Sequence, residues 1–434
     1  MYGMLQPNTL HKNAPSAQHD LTVAAMSFQD ILIHLPMVAW LAVALLSCYG
    51  LYDCISTLKP PPQIASHPKV ALIIPVRGAP PNFDLLWQSI CSQTLAAGRV
   101  IFAVESENDP ATQAIRALPD GPPRDIVIAG PTALRAQKIH NLIAAIDDLS
   151  TEDEIVVFAD ADIVPDKDWL LRLVAPLSEP DIRIVSGYRW MIPSDDRWSS
   201  ALVCVANASI ATVPRLPLWN LAWGGSTALR RDTLGALDLA RLWDRSAVDD
   251  LSITSAARQI GYHIAQPQSL LVPSPTAMSW REVIAFGRRQ YLFTRLYTPT
   301  HWALAAAATT LPLIGWAVAL PLALSGSKFA IATIIAANVF DQIRAGLRRR
   351  VSRILWATEM PARMAWLDRW ATPVWLAFHA AIIWSTLFGR WVFWAGRTYR
   401  IDQNGRVARV IETHADAAQP ASVGQPSSQS SRKS

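Results

Sequence analysis

The chain has 434 residues, is 51% hydrophobic and only 17% charged, and sets 39 Lys and Arg against 34 Asp and Glu. Its mean hydropathy of +0.19 and isoelectric point near 9.1, beside the roughly 25% charged residues of ordinary soluble domains, exclude a wholly soluble globule. No aromatic-interleaved basic face accompanies the basic runs at 344–353 and 396–400, so nucleic acid is excluded as a partner and the runs read as contacts with anionic lipid.

Residues 1–27 are polar and are expected to be mobile. Residues 28–52, FQDILIHLPMVAWLAVALLSCYGLY, are long enough to cross roughly 30 Å of hydrocarbon as a helix. The lead-in has no basic stretch and no small-residue cleavage site follows, so the segment reads as an anchor. Lys59, Lys69 and Arg77 follow it while Lys12 precedes it. This imbalance favours an N-terminus outside and the next domain in the cytoplasm, and the expected location is a bacterial-type inner membrane. Cys48, Cys54, Cys91 and Cys204 have neither metal-type nor redox spacing, so a disulfide framework is not expected.

A stiff Pro-rich linker, 59–68, leads to an alternating pattern. KVALIIPVRG, RVIFAVES, DIVIAG and EIVVFADAD read as strands. NFDLLWQSICSQ, DPATQAIRAL and RAQKIHNLIAAIDDL between them read as helices. The spacing predicts an α/β domain over 68–300 with a mostly parallel sheet covered by helices on both faces. Ligands of such sheets bind beyond the carboxyl ends of the strands, and there the fourth strand ends in Asp160 and Asp162.

From Trp302 the chain is apolar again, and tryptophans crowd it as far as Trp394. Residues 302–340 suffice for two helices turned at SGSK, the second short enough to re-enter. Residues 359–370 read as interfacial and 373–389 as a further span, so that 301–395 forms a C-terminal membrane region. This topology places the basic segment 396–414 outside, with Arg397, Arg400, Arg406 and Arg409 against the positive-inside tendency. Residues 415–434 read as a disordered Ser/Gln/Pro-rich tail.

Two carboxylates at i and i+2 around a bend share one hard divalent cation, which in turn neutralises a diphosphate. Asp160 and Asp162 are therefore the candidate metal ligands. The paired Gly224 and Gly225 allow backbone to approach a ligand closely, or form an ordinary tight turn. Asp109, ahead of Pro110, and Asp249 with Asp250 stand at helix starts, where an aspartate also serves as a cap.

Four stretches in order carry a family likeness: FAVESENDPA (102–111), RAQKIHNLIAAI (135–146), FADADIVPD (158–166) and WGGSTALRRDTL with AVDDLSIT (223–254). Together they resemble the GT-A nucleotide-sugar glycosyltransferases, and most of all the ceramide glucosyltransferase family. The resemblance implies that Glu105 and Asp109 contact the nucleotide, and that Lys138 and Asn141 belong to a lysine–isoleucine–x–asparagine stretch beside the diphosphate. It also implies that Asp160 reaches the donor, that Gly224 and Gly225 border the sugar, and that Asp250 is the catalytic base with Asp249 supporting it. The family's closing motif corresponds to Arg288, Arg289, Gln290 and Tyr291, expected to line the acceptor site and to offer charge to the diphosphate. The chain departs from the family pattern at Ser106 and at the Gln290–Tyr291 pair.

The resemblance thus implies a membrane-bound inverting hexosyltransferase using Mg²⁺ or Mn²⁺. Its donor would be UDP-glucose or UDP-galactose, its acceptor a lipid hydroxyl such as that of ceramide. A processive polysaccharide synthase and a binding-only, membrane-anchored domain are the alternatives.

Overall fold

The computed structural model describes residues 28–58, 64, 67–80 and 82–412, so the expectations for 1–27 and 415–434 lie outside the described residues. The chain opens with α1 (Phe28–Ser56). There follow β1 (Val70–Pro75), α2 (Phe83–Cys91), β2 (Arg99–Val104), α3 (Pro110–Arg116), β3 (Arg124–Ile128), α4 (Gln137–Asp147) and β4 (Ile155–Ala159). Next come α5 (Trp169–Val174), β5 (Ile184–Ser186), β6 (Tyr188–Pro193), α6 (Trp198–Ala211), β7 (Ser226–Arg230), α7 (Arg231–Ala236), α8 (Leu239–Leu242) and α9 (Asp250–Gln259). The short β8 (Ile264–Ala265), β9 (Leu271–Thr276) and the long α10 (Trp280–Tyr297) complete this part. Four helices then run α11 (Pro299–Leu324), α12 (Lys328–Trp356), α13 (Ala362–Trp370) and α14 (Thr372–Ser385), before β10 (Trp391–Trp394), β11 (Arg397–Ile401) and β12 (Val407–Glu412).

Seven strands form the central sheet in the order β3-β2-β1-β4-β7-β5-β8. β1, β2, β3 and β4 are parallel, as the alternation of strands and helices predicts, while β7 runs antiparallel to both β4 and β5. Side chains alternate across each strand, and both faces are covered. Val70, Leu72 and Ile74 enter the core under α2, α3 and α5. Ala71 and Ile73 enter a second core with Ile139 and Leu142 of α4, Trp243, and Leu292 and Phe293 of α10. Because the strands are apolar on both sides, polar groups are confined to their ends, and the site sits there.

α1, α11 and α12 are long and apolar enough to cross a membrane. Met37 and Trp40 of α1 pack on Ala319, Ala330 and Ala337. Gly315 lets α11 come close, since a Cβ there would lie 2.6 Å from the Cβ of Trp40. Two expectations are corrected. α12 is one helix of 29 residues and not a short re-entrant limb. α14 has 14 residues, about 21 Å at 1.5 Å each, too short for a roughly 30 Å hydrocarbon core.

The basic segment after it is corrected too. β10, β11 and β12 form an antiparallel meander whose Val392, Tyr399, Ile401 and Val407 are buried in the same core as α4 and Trp243. Arg406 bridges to Ser246, and the Tyr297 hydroxyl of α10 donates to the Gly405 carbonyl. The four arginines of this segment thus lie on the side of the central sheet.

Candidate active site

The end of β4 and the start of α9 meet through one lysine. Lys138 Nζ, in the first turn of α4, lies 2.8 Å from Asp160 Oδ1 and 2.9 Å from Asp249 Oδ2. Burial works to lower the Lys138 ammonium's pKa, but the two aspartates outweigh it and raise it. Burial likewise works to raise the Asp160 carboxyl, yet Lys138 and Arg189 hold it below its ordinary value. Asp249 occupies the cap position of α9 without capping it; its carboxylate is given to Lys138 instead.

Asp250 turns the other way. Its Oδ2 accepts the Gly224 amide at 3.0 Å and its Oδ1 the Leu251 amide at 2.7 Å. Burial first, and the Asp249 charge second, push its carboxyl up to about 7. A carboxylate with that affinity for a proton is matched to general-base work near neutrality. The glycine pair is required by this crowding and is not an interchangeable turn. A Cβ on Gly224 would stand 2.1 Å from Asp249 Oδ2, and one on Gly225 would stand 2.2 Å from the Trp223 ring and 2.7 Å from Asp160 Oδ2.

Asp160 and Asp162 converge on Arg189 of β6. A single nitrogen, Nη2, lies 3.1 Å from Asp160 Oδ2 and 2.9 Å from Asp162 Oδ1. The guanidinium also lies over the Trp223 ring, 5.3 Å from its centroid. Two carboxylate oxygens facing one point are donors of the kind that a hard divalent ion takes, and in this structure Arg189 Nη2 stands at that point. Among the described residues no set of three or more His, Cys, Asp and Glu side chains surrounds a metal position. Remaining ligands would come from a diphosphate and water, as is common for Mg²⁺. Arg289 of α10 stands close by, its guanidinium 5.2 Å from the Trp394 ring centroid. Burial, then the nearby Arg189 charge, lowers its pKa to about 10.

Glu105 follows β2 and is held by a bidentate pair from the meander. Arg397 Nη2 lies 2.5 Å from Glu105 Oε1 and Nη1 3.1 Å from Oε2. Nη1 also donates to Gln137 Oε1 at 2.7 Å. Neither Arg189 nor Arg397 was singled out from sequence. The first has no spacing signal beyond being a charge inside the apolar run IVSGYRWMI, and the second reads as one basic residue among several.

Other expected site residues are placed elsewhere, each for a visible reason. Asn141 is 3% exposed, and its amide donates to the Ala103 carbonyl at 3.2 Å while accepting from Gln137, so it ties α4 to β2. Asp109 caps α3 through the Ala111 amide at 2.9 Å and holds the Gly78 amide at 2.7 Å. Arg288 donates to the carbonyls of Ser385 and Phe388, neutralising the C-terminal end of α14. Tyr291 is buried, with its hydroxyl 2.5 Å from His379 Nε2 of α14. Gln290 is exposed and gives its backbone carbonyl to Thr294. Of the closing motif, Arg289 alone joins the charges around Asp160.

Carboxylates, a lysine and a glycine loop thus stand at the strand ends of a doubly covered, mostly parallel sheet, the arrangement that the resemblance to GT-A glycosyltransferases implies. The family model for glycosyl transferase family 21 matches residues 37–407, and the chain belongs to that family. It is a glycosyltransferase. No curated protein matches the chain. Among solved structures it is similar to the mannosyltransferase PcManGT of Pyrobaculum calidifontis, in complex with GDP-Man and Mn²⁺. That pair is 20% identical with a TM-score of 0.45, over 75% of this chain and 100% of the other. It is also similar to glucosyl-3-phosphoglycerate synthase of Mycobacterium tuberculosis, solved with Mn²⁺, UDP and phosphoglyceric acid. There the identity is 18% and the TM-score 0.34, over 53% of this chain and 78% of that one.

Proposed function

We propose that the chain is an integral-membrane inverting hexosyltransferase that moves glucose or galactose from its UDP conjugate to a lipid hydroxyl of the ceramide type. The observation that carries this reading is the placing of Asp250. Its carboxylate is set beside the glycine loop and away from the lysine, with a proton affinity suited to a base. Asp250 takes the proton of the acceptor hydroxyl as that oxygen attacks the anomeric carbon. The bond to the nucleotide diphosphate breaks on the opposite face, and the configuration inverts. Lys138 and Arg289 offer positive charge to the departing diphosphate. Asp249 keeps Lys138 in place, and Gly224 keeps Asp250 in place through its amide. Asp160 and Asp162 would hold Mg²⁺ or Mn²⁺, which when bound neutralises phosphate charge. Glu105 lies where the nucleoside end of the donor is expected, oriented by Arg397.

A lipid acceptor accords with α1, α11 and α12, which bring hydrocarbon close to the catalytic body. A cytoplasmic catalytic body accords with the cations after α1 and with the arginines of β11 and β12 on that same side. The test uses membranes containing the enzyme, radiolabelled UDP-glucose or UDP-galactose, Mn²⁺, and ceramide or diacylglycerol. Label in ceramide with release of UDP supports the full reading. Label in diacylglycerol keeps the mechanism and changes the acceptor, and UDP-sugar binding without any transfer overturns it.

A further inference from the structure

Arg189 lies where two readings of the Asp160–Asp162 pair collide. The pair fits a divalent cation, yet a guanidinium already bridges it, with Nη2 at 3.1 and 2.9 Å from the two carboxylates. Arg189 is not a rim residue that brushes past. Its side chain is 13% exposed, rises from β6 beside β9, and is stacked against Trp223. Within the same few ångströms Lys138 holds the other oxygen of Asp160. Two cations therefore already serve Asp160, Asp162 and Asp249.

The charge count decides what can enter. A bare divalent ion would add two positive charges beside Lys138, Arg189 and Arg289 and would have to break both Arg189 contacts. A divalent ion carried with a nucleoside diphosphate brings its own negative charge. The phosphate oxygens then offer the freed guanidinium a planar, two-pronged partner of the kind arginine favours.

We propose that Arg189 is the resident counter-ion of the Asp160–Asp162 pair, which it yields to the divalent cation only as the diphosphate arrives to receive the guanidinium. Metal and nucleotide then bind with mutual reinforcement, and Arg189 is a positioning residue that makes each depend on the other. By reciprocity of linkage, whatever the nucleotide does for metal affinity the metal does for nucleotide affinity. The inference rests on the reading of Asp160 and Asp162 as metal ligands.

The experiment measures Mn²⁺ binding by paramagnetic resonance of the free ion. It uses the full-length protein in lipid nanodiscs, with and without UDP, for wild type, Arg189→Gln, Arg189→Lys and Asp162→Asn. Without UDP, Arg189→Gln is expected to bind Mn²⁺ about tenfold tighter than wild type, an ordinary size for coupling between ligands. UDP is expected to tighten Mn²⁺ binding strongly in wild type and much less in Arg189→Gln. Equal or weaker Mn²⁺ binding by Arg189→Gln without UDP overturns the proposal. Should that variant melt early, Arg189→Lys decides, because the lysine side chain is one bond shorter and its ammonium falls short of the position from which Nη2 bridges the two carboxylates. It too must bind Mn²⁺ tighter than wild type, and equality overturns the proposal. Asp162→Asn separates the two layers. If it abolishes Mn²⁺ binding in the presence of UDP, the metal reading stands whatever Arg189 does. If it changes nothing, the metal reading falls and the role of Arg189 falls with it.

Discussion

The amide of Gly224 and the carboxylate of Asp250 are joined by a 3.0 Å hydrogen bond across 26 residues of sequence. That bond fixes which way the paired aspartates face. Asp250 is aimed at the glycine loop, while Asp249, one residue earlier, is aimed at Lys138. Two carboxylates of one kind are thereby given two tasks.

Asp250→Asn is expected to lower the turnover number by about 10²–10⁴-fold, the usual contribution of a positioned base. Binding of UDP to the variant should stay near that of wild type. Initial rates alongside equilibrium UDP binding check both. A variant that keeps a tenth of the wild-type rate would remove Asp250 from the role of base.

The pH dependence has a definite sign. A base acts unprotonated, so transfer should rise with pH through about 7 and level off above it. Stability runs the other way, since the folded protein holds a proton on Asp250 between its ordinary 3.8 and about 7 that the unfolded chain has lost. Stability contributed by this group therefore falls as pH rises through that window. Asp250→Asn should raise the melting temperature at pH 8 and have little effect at pH 4. Equal shifts at the two pH values would contradict it.

Gly224→Ala should cost activity without unfolding the protein. The added methyl meets the Asp249 carboxylate at 2.1 Å, so Asp249 must leave Lys138 or the loop must move. Displacements of about 1 Å at a reacting centre cost around 10²-fold. Steady-state kinetics with a parallel melting curve distinguish lost geometry from lost fold.

Arg397→Met should destabilise the protein by about 3–5 kcal/mol, the cost of stranding one partner of a buried ion pair. Arg397 and Glu105 side chains are 5% and 17% exposed. The double variant Arg397→Met with Glu105→Gln should recover part of that loss, because no unpaired charge remains. Denaturant melts of the two singles and the double measure the coupling.

What sequence made legible was whatever lies on strands buried on both faces. Ile155 to Phe158 had to be a core strand, so Asp160 had to stand at its end, and the parallel order of β1 to β4 follows from the same runs. β9 was hidden because Pro273 and Pro275 demote a strand, and it survives by pairing with β6 alone. The Asp-x-Asp pair could be read, but its partner Arg189 could not, since that contact depends on how β6 folds back. A lysine and an asparagine one turn apart looked like one functional unit. Packing separates them, sending Lys138 to the carboxylates and Asn141 to a backbone carbonyl. The meander was misread because its arginines look like a basic segment beyond a last membrane span until Tyr399 and Ile401 are seen to be buried.

The meander also imposes an order on how the molecule is made. Glu105 leaves the ribosome early, whereas its partner Arg397 is encoded 292 residues later, after every membrane helix. The catalytic core is therefore still open along one face when α11 and α12 emerge. Contacts closed over such distances form late and slowly. A chain synthesised in order therefore has α11 and α12 complete before β10, β11 and β12 can close over Glu105.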